Sequence, residues 1–320
     1  RFDLPRKFCN KLWNASRFSL MNLSGYSDGP VDHDKLTLED RWILSRLSTV
    51  TQQVTEALEE YRYSEAARTL YGFAWDDFCD YYIEMAKVRL SGNDGQTTAQ
   101  RVLAHSLDTL LRLLHPMIPF VTEEIWQLLG QAAPRRGLDT TDEPSTFLMA
   151  APWPSVLPQW QDEQTEQRFE RFKDVLRALR RIRADQNISK RKPIKFSVRC
   201  NVETVELLQP LAAYFESLEF ATATAWGVQV EPSPSCAQVK LVDMEIFVDL
   251  VGLIDVGAEM TRLKNELKRV HKQISGKEQK LSNANFVDRA PANIVDRERS
   301  SLLQLQQQAT SLEAALGKSG

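Results

Sequence analysis

Apolar residues recur every three or four positions through the first 130 residues, marking a succession of amphipathic helices. Asp3 and Pro5 suit a helix start and Gly25 its end, which places Phe8, Leu12, Trp13 and Phe18 on a first helix. Thr37, Glu39 and Asp40 open a second, with Ile43, Leu47, Val50, Val54 and Leu58 on one face. A third begins at Ser64 and carries Ala67, Leu70, Tyr71, Ala74, Phe78, Tyr81, Tyr82 and Met85. Residues 98–115 form a fourth, ended by Pro116; Pro119 starts a short fifth through Trp126 and Leu129. Long amphipathic helices on short Gly, Asn and Asp loops predict an antiparallel helix bundle over residues 1–145.

Between 130 and 160 the periodicity dissolves. Pro134, Pro144, Pro152, Pro154 and Pro158 punctuate this stretch, and one short apolar run stands at 147–151. A basic helix at about 163–186 follows. Alternating or β-rich runs then come at 194–199, 220–225, 239–242 and 246–251, with a helix near 203–217. This predicts a linker, a basic helix and a small α+β domain over 146–254.

Residues 255–320 carry two heptad rows. Met260, Leu263, Leu267, Val270, Ile274 and Leu281 form the first, with Lys277 in its missing apolar slot. Val295, Leu302, Leu305, Ala309, Leu312 and Leu316 form the second, with Glu298 in the empty slot. A seven-residue repeat leaves a narrow apolar seam that only another helix can bury. Asn283, Asn285 and the Ala290-Pro291-Ala292-Asn293 run interrupt the pattern, so the two rows are expected to fold back as an antiparallel coiled-coil hairpin. The fold class is therefore mainly α: a bundle, a small α+β domain and a hairpin arm.

The formal net charge of −3 hides an asymmetry, because residues 168–199 hold twelve Lys or Arg against three acids. Arg177, Arg180, Arg181 and Arg183, followed by Lys190, Arg191 and Lys192, concentrate cations as a phosphate backbone demands, although a solvated charged face has the same composition. The first helix sets Arg6, Lys7, Asn10, Asn14 and Arg17 among Phe8, Trp13 and Phe18. Such a mixture suits single-stranded RNA, with aromatics stacking on bases and amides or guanidiniums bonding base edges. Core packing would also explain each aromatic.

Catalytic signatures are missing. His33, His105, His115 and His271 are isolated, and no glycine-rich phosphate loop or Gly-x-Ser-x-Gly turn occurs, so no catalytic, cofactor-binding or metal site is assigned. Cys9, Cys79, Cys200 and Cys236 form no CxxC pair. Without a signal peptide or a long apolar run, the chain reads as a soluble, cytosolic monomer that binds no membrane. It starts at Arg1, in sequence already helical in character, and a natural N-terminal part is inferred to precede it.

The run Lys7-Phe8-Cys9-Asn10-Lys11-Leu12-Trp13-Asn14-Ala15-Ser16-Arg17-Phe18 resembles the opening helix of the anticodon-binding domain shared by the valine, isoleucine and leucine class I aminoacyl-tRNA synthetases. Asp76-Asp77-Phe78-Cys79-Asp80-Tyr81-Tyr82 and His115-Pro116-Met117-Ile118-Pro119-Phe120 are similar to its later helices. Lys280-Leu281-Ser282-Asn283, Asn285-Phe286-Val287 and Ala290-Pro291 resemble the tRNA-binding arm characteristic of the valine enzymes.

The resemblance implies the C-terminal portion of a valyl-tRNA synthetase. Its parent would join valine to tRNA with ATP and Mg²⁺, while this chain, lacking the family's His-Ile-Gly-His-like and Lys-Met-Ser-Lys-Ser-like motifs, would be inactive alone and hold the tRNA. It implies that Asn10, Asn14 and Arg17 bond the anticodon loop, that Trp13 or Phe18 stacks there, and that the 180–192 cluster follows phosphates. Lys264, Lys268, Arg269, Lys272, Lys277 and Lys280 are the arm's candidate contacts. A fragment of an isoleucine or leucine enzyme and a coiled-coil scaffolding protein are the alternatives.

Overall fold

The computed structural model describes residues 3–92, 95–138, 144–253, 256–282 and 292–318. The chain divides into two compact units: residues 1–183, 189–232 and 238–248 form the first, and 184–188, 233–237 and 249–320 the second.

The first unit begins with α1 (Asp3–Asn22), α2 (Leu38–Glu59) and α3 (Tyr63–Gly72). A π-helical stretch, Phe73–Tyr82, runs on into α4 (Ile83–Leu90). Then come α5 (Gln96–Leu114) and α6 (Pro119–Ala132). The third predicted helix is thus one continuous rod whose middle is wound with one extra residue per hydrogen-bonded turn, a variant often found at functional sites. At the α2 start the Thr37 amide donates to Asp40 Oδ2, and the buried Asp40 also receives Arg89 Nη1 at 2.5 Å, tying α4 to α2. Pro119 occupies the first turn of α6, where a missing N–H costs nothing. The apolar run at 147–151 yields only a single 3-10 turn at Leu148–Ala150.

The basic helix is α7 (Glu163–Asp185), and it carries two apolar surfaces. Phe169 stacks on Trp42 of α2 with ring centroids 4.5 Å apart, while Phe172 meets Phe215 at 4.7 Å. Phe215 belongs to α9 (Ala212–Glu219), which follows α8 (Val202–Leu208). The predicted helix at 203–217 is broken there because Pro210, within the 3-10 turn Gln209–Leu211, has no amide hydrogen to donate. Asn201 caps α8 by accepting from the Thr204 amide at 2.9 Å.

Strands β1 (Ile194–Cys200), β2 (Ala221–Trp226), β3 (Cys236–Lys240) and β4 (Met244–Asp249) form one sheet in the order β2-β1-β4-β3. β1 runs parallel to β2 and antiparallel to β4. Alternation turns Ile194, Phe196, Val198 and Cys200 inward, and Phe196 packs against Phe215 at 5.3 Å. Phe220, expected to start a strand, instead ends α9 in the left-handed region at φ 51°, and β2 starts one residue later.

In the second unit, α10 (Val256–Ser282) and α11 (Ala292–Lys318) pack side by side in antiparallel sense. Val270, Val295 and Ala309 are buried between them, whereas Leu267, Ile274, Leu302 and Leu305 are half-buried, as a seam covered by a single partner helix must be. The slots filled by Lys277 and Glu298 face each other: Lys277 Nζ lies 2.6 Å from Glu298 Oε2, and Lys280 Nζ lies 2.7 Å from Oε1. The connector at 283–291 and the side chains of Met260, Leu263, Leu312 and Leu316 lie outside the described residues.

Candidate nucleic-acid interface

Helical periodicity divides α1 cleanly. Phe8, Leu12, Ser16 and Ser19 point into the bundle, and Arg6, Lys7, Asn10, Trp13, Asn14 and Arg17 are all exposed. The exposed set follows the three- and four-residue steps of one helix face, so amides, cations and one large aromatic share a single solvent-facing strip. Trp13 keeps 38% of its surface open. Arg6 shares an exposed ion pair with Asp3, and neither Lys7 nor Arg17 has an ion pair among the described residues. Phe18 is half-buried, with Lys87 Nζ 5.4 Å from its ring centre.

Beside this strip lies an aromatic stack joining α1 to the rod that begins with α3. Phe8 stacks on Tyr71 at 5.1 Å, and Tyr71 on Trp75 at 5.5 Å with the planes 11° apart. Tyr71 and Trp75 are half-buried, and Lys11 Nζ sits 3.9 Å over the Trp75 ring while pairing with Asp80 at 2.7 Å. Trp75 and Asp80 both lie in the π-helical stretch, whose changed winding the apolar periodicity did not reveal.

The cations of α7 separate into distinct roles. Lys173 is buried between Asp77, at 3.0 Å, and Glu170, at 2.8 Å; burial opposes its charge, and the two carboxylates outweigh it and hold the ammonium above the usual lysine value. Arg177 bonds Glu170 and Asp174, and Arg180 Nε donates to the buried Glu219 at 2.6 Å. Arg183 corrects the expectation of a phosphate contact. Only 4% exposed, it donates to the carbonyls of Ser189 and Lys192, both at 2.9 Å, and of Glu219 at 2.6 Å. It holds the turn at 189–192 from beneath, and that turn displays Lys190, Arg191 and Lys192, all exposed. Arg181 is exposed as well. Several of these cations are therefore paired with carboxylates or carbonyls of the protein itself, while Arg181 and the turn face outward.

On α10, Lys268, Arg269 and Lys272 are exposed, while Lys277 and Lys280 converge on Glu298, whose carboxyl their hydrogen bonds hold down to about 2. The side chain of Lys264 lies outside the described residues. All four cysteines are free thiols.

Comparison with known proteins places this geometry. Residues 40–198 match the family model of the anticodon-binding domain of tRNA ligase, and residues 255–318 match that of the valyl tRNA synthetase tRNA binding arm. A valine–tRNA ligase from Rhodopirellula baltica is 48% identical over 98% of this chain and 30% of its own length. The chain belongs to the valyl-tRNA synthetase family. Valine–tRNA ligases from Geobacter sulfurreducens, 41% identical over 98% of this chain and 35% of the relative, and from Syntrophotalea carbinolica, 39% identical over 98% and 34%, agree. The chain spans about a third of the length of the curated relatives it matches, in their C-terminal region. The anticodon-binding match contains α7 and the 189–192 turn but starts after α1; the relatives extend over α1 as well.

Proposed function

We propose that this chain is the tRNA-holding portion of a valine–tRNA ligase. In this reading the exposed α1 strip meets the anticodon loop, with Asn10, Asn14 and Arg17 bonding base edges and Trp13 stacking. The 189–192 turn follows the phosphate backbone, aided by Arg181. The 255–320 hairpin, as a coiled-coil arm, rests on the outer corner of the tRNA through Lys268, Arg269 and Lys272, and residues 1–145 and 146–254 serve as bundle and α+β domain. The observation that carries the proposal is the strip itself: hydrogen-bonding amides, cations and an open indole aligned on one face of a helix whose other face is firmly buried.

The complete enzyme would act in the cytoplasm and join valine to its tRNA using ATP and Mg²⁺. Among the described residues no group of three or more His, Cys, Asp or Glu side chains is arranged to hold a metal, and this chain's residues are assigned no step through either cofactor. Among the described residues no helix is long and apolar enough to cross a membrane. The proposal is tested by binding the full chain to an anticodon stem-loop of valine tRNA. The combined variant Asn10→Ala, Asn14→Ala, Arg17→Ala is expected to weaken binding at least tenfold while leaving the unfolding transition in place. Unchanged affinity would remove α1 from the interface.

A further inference from the structure

Large apolar side chains are left open at one end of the helix bundle. α1 and the rod from α3 to α4 run in the same direction, because Phe8 meets Tyr71, Lys11 meets Trp75 and Asp80, and Phe18 meets Lys87. One turn back from the Phe8–Tyr71 contact, Leu4 and Ala67 are both exposed, and Tyr63 follows a turn further back on α3. α5 starts at the other end of α1, where Gln100 Nε2 donates to the carbonyls of Asn22 and Ser24. Gln100 to Leu114 covers as much helix as Asn22 back to Phe8, which brings the α5–α6 turn to the end where α1 starts. The following segment is fixed to the same end. Arg112 Nη1 donates to the Pro152 carbonyl at 3.4 Å, Trp153 Nε1 to Thr55 Oγ1 late in α2 at 2.8 Å, and the Leu148 amide to Glu123 early in α6 at 3.0 Å.

This end therefore gathers Leu4, Tyr61, Tyr63, Phe120, Phe147 and Met149, all exposed, with Phe120 at 90%, Met149 at 82% and Tyr61 at 78%. The opposite end is closed by the protein itself, since Leu23, Val31 and Leu36 of the α1–α2 connection are buried there. Tyr61 adds a second sign that the open end is built for contact. It sits just past α2 at φ 58°, where the Arg62 amide closes the helix on the Ala57 carbonyl at 2.7 Å, and glycine is the usual residue at such a position. A tyrosine kept there at a conformational cost sets its ring edge to face with Tyr63, centroids 6.3 Å apart.

Charge selects the class of partner. Glu59, Glu60, Glu65 and Glu124 stand exposed around these rings, against Arg68 and an Arg62 already bound to Glu60 and Glu65. An acidic rim repels a phosphate backbone, whereas aromatic rings and a methionine inside a charged rim are the make-up of a protein–protein contact. The relatives supply the protein: this chain matches their C-terminal 30–35%, so about two-thirds of each lies ahead of the matched region. In them that part leads into α1, whose start lies at the open end. We infer that this end of the bundle is the docking surface for the upstream part of the complete ligase, with Phe120, Met149 and the Tyr61–Tyr63 pair at its centre. The inference rests on the reading of this chain as a portion of a longer valine–tRNA ligase and on none of the RNA contacts. Docking there orients α1, and with it the base-reading strip, relative to the rest of the enzyme.

Met149 is the reporter. The complete enzyme and this chain alone, both without RNA, are treated with dilute hydrogen peroxide, and peptide mass spectrometry follows sulfoxide formation at each methionine. Met21, 71% exposed near the opposite end, is the comparison residue. On passing from this chain to the complete enzyme, Met149 oxidation should slow at least about tenfold more than that of Met21. The pair Phe120→Asp and Tyr63→Asp, both at exposed positions, should restore the Met149 rate in the complete enzyme and leave the unfolding transition of this chain in place. Slowing of Met149 no greater than that of Met21 would overturn the proposal. So would protection in this chain by itself that grows with its concentration, which assigns the face to a second copy, or protection that requires added tRNA, which assigns it to RNA. Because the deciding comparison contains no RNA, a failure of tRNA binding would leave its result unchanged.

Discussion

Asp77 joins α7 to the bundle, and its removal measures how firmly the basic helix is held. Its carboxylate is 4% exposed and accepts from Arg46 Nε at 3.1 Å and Lys173 Nζ at 3.0 Å. Asp77→Ala leaves both cations where little water reaches. Breaking a buried ion pair by removing one partner costs about 3–5 kcal/mol, and because each cation keeps another carboxylate the expected cost is the low end, about 3 kcal/mol. Those second partners are Glu166 for Arg46, at 3.0 Å, and Glu170 for Lys173, at 2.8 Å. For a unit of this size the thermal midpoint should fall by about 6–12 °C. Tryptophan fluorescence is the suitable probe, because all seven tryptophans lie in the first unit. Asp77→Asn, which keeps an acceptor but not the charge, should lose less. A shift worth under about 0.5 kcal/mol, the size of an ordinary surface change, would refute the claim that this network holds α7.

Arg183→Met removes the donor shared by the Ser189, Lys192 and Glu219 carbonyls and should destabilise the first unit by about 3 kcal/mol. Trypsin should then cut faster after Lys190 and Arg191, and an unchanged cleavage rate would contradict the clamp. In the hairpin, Glu298 is held down to about 2, so its contribution is fully present above the ordinary glutamate range and is lost as pH falls through that value. An NMR titration of the Glu298 carboxyl should show the low midpoint, and Lys277→Met should raise it; a midpoint near 4.5 in the native chain would deny the bridge. Arg191→Ala should reduce the salt slope of tRNA binding by about 0.7–0.9, whereas Arg177→Ala should leave it nearly unchanged. Equal effects would show that the internal pairing of Arg177 does not remove it from the interface.

The α1 strip was legible because a single 3.6-residue period assigns Asn10, Asn14 and Arg17 to one face and Leu12 to the other. The Lys277–Glu298 bridge was half legible. Each residue marked an unfilled seam slot in its own helix, and only the packing of the two helices showed that the slots meet. The separation of the α7 cations was not legible at all. Lys173 finds Asp77 at a separation of 96 residues, and Arg180 finds Glu219 at 39, so no local pattern tells an inward arginine from an outward one. The π-helical stretch was hidden for another reason: a one-residue slip in backbone hydrogen bonding leaves no mark in composition, and it moved Trp75 and Asp80 against α1. Pro210 was visible in the sequence, yet the apolar residues on both sides of it imitated one helix.

On the proposal made above, this chain holds tRNA through exposed cations and a base-reading strip. The most direct test is equilibrium binding of the full chain to valine tRNA and to a non-cognate tRNA across a salt series. With about four of the exposed basic candidates, among them Lys7, Arg17, Lys190, Arg191, Lys192, Lys268, Arg269 and Lys272, meeting phosphates, the log–log slope should be about −3 for both RNAs, with valine tRNA bound more tightly at every salt concentration. No binding at low salt, or a flat salt dependence without preference for valine tRNA, would contradict it.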